Sequence, residues 1–172
     1  MEIADPLALL RWQFRMTWSL AHDWFLPELT DELCLWQPRP ASLTVRPDRS
    51  GGWRADWSTD EDGPAPSVGW LTWHIIWWWT QTVAASDGAP VPSRDDVHWP
   101  GSAAAAVLQI TGLAEAWTQR LAELTKPQLE VPVAFPWLVE RPAAFTIAWV
   151  NSELMKNVAE IGAGIRGYRA GT

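Results

Sequence analysis

The sequence predicts an all-α protein, a four-helix bundle with a long crossover that carries a small β-hairpin. Three observations predict this fold class. Apolar residues recur at steps of three and four along four segments, which gives each predicted helix one apolar face. Capping residues, prolines and glycines separate these segments. The connection 37–66 is long, and its apolar positions alternate around a Gly-Gly turn.

The first helix begins at Asp5, a favourable N-cap that is followed by a proline at the first helical position. Pro27 interrupts the helix, and residues 28–36 are predicted to continue as a second short helical piece. The apolar face consists of Leu7, Leu10, Phe14, Trp18, Ala21 and Phe25. A partner helix must cover this face.

The second helix is predicted over residues 67–85, after the breaker 63–66, in which proline alternates with glycine and alanine. Its centre, residues 70–79, is apolar on all sides. A helix of this kind in a soluble protein is buried on most sides.

The third helix takes Ser102 as its N-cap and ends at Lys126-Pro127, and the fourth begins near Arg141-Pro142. The apolar stripe of the third helix is Val107, Ile110, Ala114, Trp117, Leu121 and Leu124. The stripe of the fourth is Ile147, Val150, Leu154, Val158, Ile161, Ile165 and Tyr168. Long helices with such stripes pack as a bundle.

Two connections are longer than a tight turn. Residues 43–46 and 53–57 flank the turn 49–52, which predicts a small hairpin over one end of the bundle. Because connections of this length are usually functional or disordered, the insertion is placed to cover a site. Residues 86–101 are predicted to form a plain loop.

Composition limits the possible functions. The length of 172 residues predicts a single domain over residues 1–172. The net charge of −7 argues against binding to nucleic acid, which requires a basic surface. The most apolar stretch, residues 68–79, is too short to cross a membrane, and residues 1–6 lack the basic and apolar regions of a secretory signal. We therefore expect a cytoplasmic protein with no membrane partner.

His74 is the most informative titratable residue of the chain. Its neighbours on the helix at three and four residues include Trp70, Trp77 and Trp78, three of 15 tryptophans. A buried histidine satisfies its ring nitrogens by binding a metal or by hydrogen bonds within the core, and the sequence leaves both open. We expect Cys34 to be a small buried apolar residue.

The fourth helix carries polar residues on one side, Glu153, Asn157 and Glu160. One interpretation is a polar cluster that faces a cavity between helices and supplies carboxylate ligands alongside His74. The other is a surface ion pair between Lys156 and Glu160 at i,i+4.

The sequence resembles the DinB-like superfamily, the damage-inducible and thiol-dependent transferase type of four-helix bundle. Residues 29–38 (LTDELCLWQP), 68–79 (VGWLTWHIIWWW) and 149–162 (WVNSELMKNVAEIG) carry the resemblance, together with the shape of the third helix. It extends over nearly the whole chain.

The resemblance implies a divalent metal, commonly zinc or nickel, that three histidines hold. One lies on the second helix, and two form an HxxxHxG motif on the fourth. Members that keep this site are thought to transfer thiols such as mycothiol or bacillithiol, or to isomerise substrates with them. His74 matches the first histidine, whereas aligning Gly162 with the motif glycine places Lys156 and Glu160 at the other two.

This departure predicts that the three-histidine centre is lost and that His74 forms a hydrogen bond with Glu160 instead. We expect a small molecule to bind in a cavity lined by Trp70, Trp77 and Trp78. Asn157 and Glu160 form its polar floor, and Trp53 and Trp57 of the crossover cover that end of the bundle. The alternative is a thiol transferase or isomerase with a variant metal site of His74, Glu160 and Glu153. We also expect a homodimer, partly from family habit.

Overall fold

Five helices form the body of the protein, which is available as a computed structural model describing residues 5–49, 51–58, 63–137 and 139–171. The four long helices are α1 (Pro6–Leu20), α3 (Val68–Ser86), α4 (Ala103–Glu123) and α5 (Ala143–Gly171), and the short helix α2 (Asp31–Leu35) follows α1. The predicted all-α helical bundle is confirmed. Residues 1–4, which belong to the predicted domain 1–172, lie outside the described residues.

Helix α1 begins and ends as its local sequence dictates. The Asp5 carboxylate accepts hydrogen bonds from the amides of Leu7 and Ala8, at 3.1 and 3.2 Å. After Leu20 the chain tightens into a π-helical turn, Ala21–Phe25, and a 3₁₀ turn, Leu26–Glu28, which contains the predicted break at proline 27. The interruption therefore redirects the chain towards α2.

Helix α3 is the centre of the bundle, because it packs against both α4 and α5, while α1 packs against α5. The side chain of Ser67 caps α3 by accepting from the amide of Trp70 at 3.2 Å. Trp79 is fully buried and meets the ring of Phe14 edge-on, with centroids 6.0 Å apart. The predicted burial of α3 on most sides is confirmed by the buried residues Val68, Gly69, Leu71, Thr72, Trp73, Ile75, Ile76, Trp78, Trp79 and Thr82.

The crossover contains the predicted hairpin, with β1 (Val45–Pro47) paired antiparallel to β2 (Trp53–Ala55). Gly51 in the connecting turn has a φ of +87°, a conformation that glycine adopts without steric cost. Position 50 of the predicted turn lies outside the described residues. The hairpin is joined to the start of α3, because the amide of Ser67 donates to the carbonyl of Leu43 at 2.8 Å.

Two connections contain more structure than the sequence predicts. The predicted plain loop 86–101 includes a 3₁₀ turn, Arg94–Asp96, and the buried Trp99, whose indole N–H donates to the hydroxyl of Thr72. A second ladder, β3 (Pro132–Val133) with β4 (Arg141–Pro142), comes before α5. Strands of two residues leave no alternating pattern that a sequence could reveal.

Within the described part of the chain, no helix combines the length and the apolar composition that crossing a membrane requires.

Candidate functional site

The imidazole of His74 lies among tryptophan rings of its own helix. The ring of Trp70 stacks on it with centroids 4.9 Å apart and planes inclined by 11°, and Trp77 approaches at 5.6 Å. Residues three and four apart share a face of a helix, so the spacing in α3 creates this environment directly. The side chain of His74 is 14% exposed, which leaves a narrow approach from the surface.

Helix α5 supplies the polar partners of the ring. The side-chain oxygen of Asn157 lies 3.4 Å from Nδ1 of His74, and a carboxylate oxygen of Glu153 lies 3.9 Å from the same nitrogen. The indole N–H of Trp78 also donates to the Asn157 oxygen, at 3.0 Å. Asn157 thus joins two residues of α3, and the site is a cluster at the α3–α5 interface.

The hydrogen bonds determine which ring nitrogen carries the proton. An indole N–H can only donate, so the atom of Asn157 that it meets must be the oxygen. Both groups near Nδ1 of His74 are therefore acceptors, and Nδ1 must carry the hydrogen. This leaves Nε2 with its lone pair, as a hydrogen-bond acceptor or a base.

Burial keeps the ring neutral. The pKa of His74 is lowered from 6.5 to about 4, and burial is the main cause; the nearby charge of Lys156 also lowers this pKa, while Glu153 and the hydrogen bond to Asn157 raise it. At neutral pH the contact with Glu153 is therefore not an ion pair, because the imidazole carries no charge. The ammonium of Lys156 pairs with Glu153 instead.

Glu160 does not occupy the predicted position. It is exposed, and the predicted hydrogen bond between His74 and Glu160 is wrong, because Asn157 takes that place. Seven residues separate Glu153 from Glu160, so the two lie on nearly the same side of α5 but about 10 Å apart along its axis. The alternative interpretation, a surface ion pair of Lys156 with Glu160, is also wrong, because the ammonium of Lys156 pairs with Glu153.

The residues present do not fit the metal centre that the fold family implies. The described residues contain no group of three or more His, Cys, Asp or Glu side chains able to hold a metal ion. Around His74, the Glu153 oxygen is paired with an ammonium group and the Asn157 oxygen already accepts from Trp78. The alternative metal centre of His74, Glu160 and Glu153 is incomplete, because Glu160 is exposed at the surface.

The crossover covers the Trp70–Trp77 edge of the site, as the sequence predicts. The indole N–H of Trp70 donates to the backbone carbonyl of Asp56 at 2.7 Å, and the ring of Trp57 meets that of Trp77 edge-on at 5.3 Å. Trp53 packs instead on Trp99, at 4.8 Å. The crossover therefore covers this edge mainly through residues 56 and 57.

The two remaining residues that the sequence singles out, Cys34 and Trp78, are both buried. Cys34 is fully buried, and burial raises the pKa of its thiol to about 12, which confirms the prediction of a small buried apolar residue. Trp78 donates to Asn157 and meets the ring of Trp149, also on α5, edge-on at 5.5 Å. Trp78 therefore belongs to the polar interface with α5.

Sequence reasoning missed a cavity of about 610 Å³ at another part of the bundle. It lies between the end of α3, the last two turns of α4, the segment 128–134 and the start of α5. The segment 128–134 lines much of the cavity, and it contains β3, which the sequence pattern does not reveal.

The fold and this interhelical cluster define the class of protein, an all-α bundle with a polar site between its second and fourth long helices. The sequence matches the model of the DinB superfamily over residues 13–161, which is most of the chain. The protein belongs to the DinB superfamily. No curated protein matches the sequence.

Proposed function

We propose that the chain binds a small uncharged molecule at His74, with a neutral imidazole in place of the family's metal centre. One observation carries this proposal, the fixed Nδ1–H tautomer of a buried ring that is neutral at physiological pH. Its Nε2 is an acceptor for a hydroxyl or amide group of a ligand.

Two buried donors support the same interpretation. Asn157 Nδ2 and the indole Nε1 of Trp77 have no acceptor among the described residues. A molecule that offers both a donor and an acceptor satisfies Nε2 of His74 together with one of these groups. The charges of Glu153 and Lys156 compensate each other, which favours an uncharged ligand.

The experiment uses phenol, which pairs an aromatic ring with a hydroxyl donor, and toluene, which matches its shape without the donor. We expect phenol to shift the ¹⁵N resonance of His74 Nε2 and to bind at least about tenfold more tightly than toluene. His74→Phe keeps a ring against Trp70 and removes the acceptor, so it abolishes this preference. His22→Phe, at an exposed histidine, retains it. Equal binding of both probes, or a preference that survives in His74→Phe, contradicts the proposal.

Metal analysis of untagged protein separates this proposal from a metal-dependent thiol transferase or isomerase of the mycothiol or bacillithiol type. We expect no stoichiometric uptake of zinc or nickel. Uptake of one equivalent that His74→Ala abolishes overturns our proposal and favours the enzyme. Protein that takes up neither metal contradicts the enzyme.

A further inference from the structure

We propose that the cavity of about 610 Å³ between α3, α4 and α5 is a second ligand site, which takes an uncharged and largely apolar molecule carrying one carbonyl oxygen. Its volume lies in the range of small-molecule pockets, roughly 300–1,000 Å³. Leu121, Leu124, Val133 and Ile147 provide apolar walls, to which the alkyl part of a ligand binds.

The cavity is separate from the site at His74. Ile147 on α5 lines the cavity, whereas Asn157 of the same helix contacts His74. Ten residues separate these two positions, which is about 15 Å along a helix. The second site therefore does not depend on the function proposed for His74.

Two buried donors without acceptors are the polar feature of the cavity. Trp117 and Arg120 both line it, and neither Nε1 of Trp117 nor Nε of Arg120 has a partner among the described residues. The side chain of Trp117 is buried, with 2% of the residue exposed. The two residues are three apart on α4, so they lie on the same face of the helix and can donate to a single oxygen atom.

The two hydroxyl groups of the cavity already have partners. The hydroxyl of Thr146 donates to the carbonyl of Phe135, and that of Ser86 donates to the carbonyl of Thr82. The unsatisfied donors therefore favour a ligand that accepts a hydrogen bond.

The charges around the cavity favour a ligand with a neutral acceptor oxygen over one with a carboxylate. A terminal nitrogen of Arg120 already pairs with the carboxylate of Asp87 at 2.7 Å, and Glu123 adds a second carboxylate to the lining. The single positive charge is thus matched by negative charges before a ligand arrives. A ketone, ester or amide oxygen satisfies the donors without adding another negative charge.

Calorimetric titration with 2-octanone and with octanoate tests the site in the full chain. We expect 2-octanone to bind at least about tenfold more tightly than octanoate. Trp117→Phe keeps an aromatic ring and removes the N–H, and Arg120→Lys keeps the charge and removes Nε. Each weakens binding of 2-octanone by about tenfold, whereas Trp12→Phe, at an exposed indole on α1, leaves it unchanged.

Ala143→Leu adds three carbons to the cavity wall and leaves both donors intact, so it weakens binding of 2-octanone by about tenfold and tests the site independently of Trp117→Phe. Thermal unfolding shows whether each variant is folded. His74→Phe retains binding of 2-octanone, which separates this test from that of the first site. Tighter binding of octanoate, binding that is unchanged in Ala143→Leu, or no binding of 2-octanone at millimolar concentration overturns the proposal.

Discussion

His74 gives the fold a pH dependence that follows from its burial. Its pKa is lowered from 6.5 to about 4, so the folded chain binds this proton less readily than the unfolded chain. Between these pH values the unfolded state holds more protons, and acidification destabilises the fold. The contribution of the neutral His74 ring to the free energy of unfolding is fully present above pH 6.5 and is lost as the pH falls towards 4. We expect this residue to lower the free energy of unfolding by about 2 kcal/mol between pH 7 and pH 5.

Urea unfolding at pH 7 and pH 5 measures this contribution. His74→Gln keeps a polar side chain without a titrating ring, so it should lose less stability on acidification than the native chain. His22→Gln, at a histidine whose side chain is 57% exposed, is the control for replacing a histidine away from the site. Equal losses in all three proteins would show that burial of His74 does not control the dependence.

Asn157 is the second residue whose role can be measured. It is completely buried, and its oxygen accepts from Trp78 and His74. Asn157→Leu leaves these donors without an acceptor and should cost about 1–3 kcal/mol. In the background of Trp78→Phe one donor is already absent, so the same substitution should cost about 1 kcal/mol less. Urea unfolding of the four proteins gives the coupling, and additive costs would refute the hydrogen bond.

At this scale the sequence predicted His74 and the polar residues of the fourth helix near it, but assigned its hydrogen bond to Glu160 instead of Asn157. Helical spacing placed His74 among tryptophans, because neighbours on one helix follow from periodicity alone. The pair Glu153–Asn157 and the pair Lys156–Glu160 have the same i,i+4 spacing. Spacing alone therefore cannot tell which of the two pairs lies beside His74. The packing of α5 against α3 makes the selection, and no single-sequence pattern encodes that axial position.

At the scale of elements, local chemistry predicted where helices begin. Asp5 and Ser102 cap as expected, because an N-cap depends only on residues within one turn, and the second helix begins after Ser67, close to its predicted start. The ladder of β3 and β4 and the π-helical turn before proline 27 depend on tertiary contacts, so the sequence could not reveal them. The cavity that β3 helps to line remained hidden for the same reason.

Replacement by alanine is expected to have opposite effects on stability at two of the glycines. A Cβ at Gly69 would lie 2.7 Å from the carbonyl oxygen of Cys34, where α3 passes the end of α2. Gly112 on α4 has no atom within 4 Å of that position. Gly69→Ala should therefore destabilise the protein by about 1–3 kcal/mol through overpacking. Gly112→Ala should stabilise it by up to about 1 kcal/mol, because alanine favours the helix.

Urea midpoints of the two alanine variants and the native chain test this pair. A neutral Gly69→Ala would mean that α3 does not pass so close to α2.

At the scale of the whole molecule, tryptophan serves both the core and the surface. Trp79 and Trp117 are fully buried, whereas Trp12 and Trp24 are largely exposed. Aromatic composition alone cannot separate these roles, because both positions accept a large amphipathic ring. The exposed rings are the ones that bear on association with other molecules.

The homodimer expected from the sequence stays a prediction, and an exposed apolar stripe on α1 provides its test. Leu9, Trp12 and Met16 are all at least 36% exposed, and steps of three and four place them on one face. Two copies of such a face form a symmetric interface in which each stripe covers the other. We therefore expect light scattering to give the mass of two chains.

The double variant Trp12→Glu/Met16→Glu places four like charges across this interface and should give the mass of one chain. Leu108→Glu introduces a charge at the isolated, 75% exposed leucine of α4 and should leave the dimer intact. Circular dichroism checks that each variant keeps its helices, so a loss of association is not mistaken for unfolding. A single-chain mass for the native protein at every concentration refutes the dimer, and a dimer that survives the double variant places its interface elsewhere than on α1.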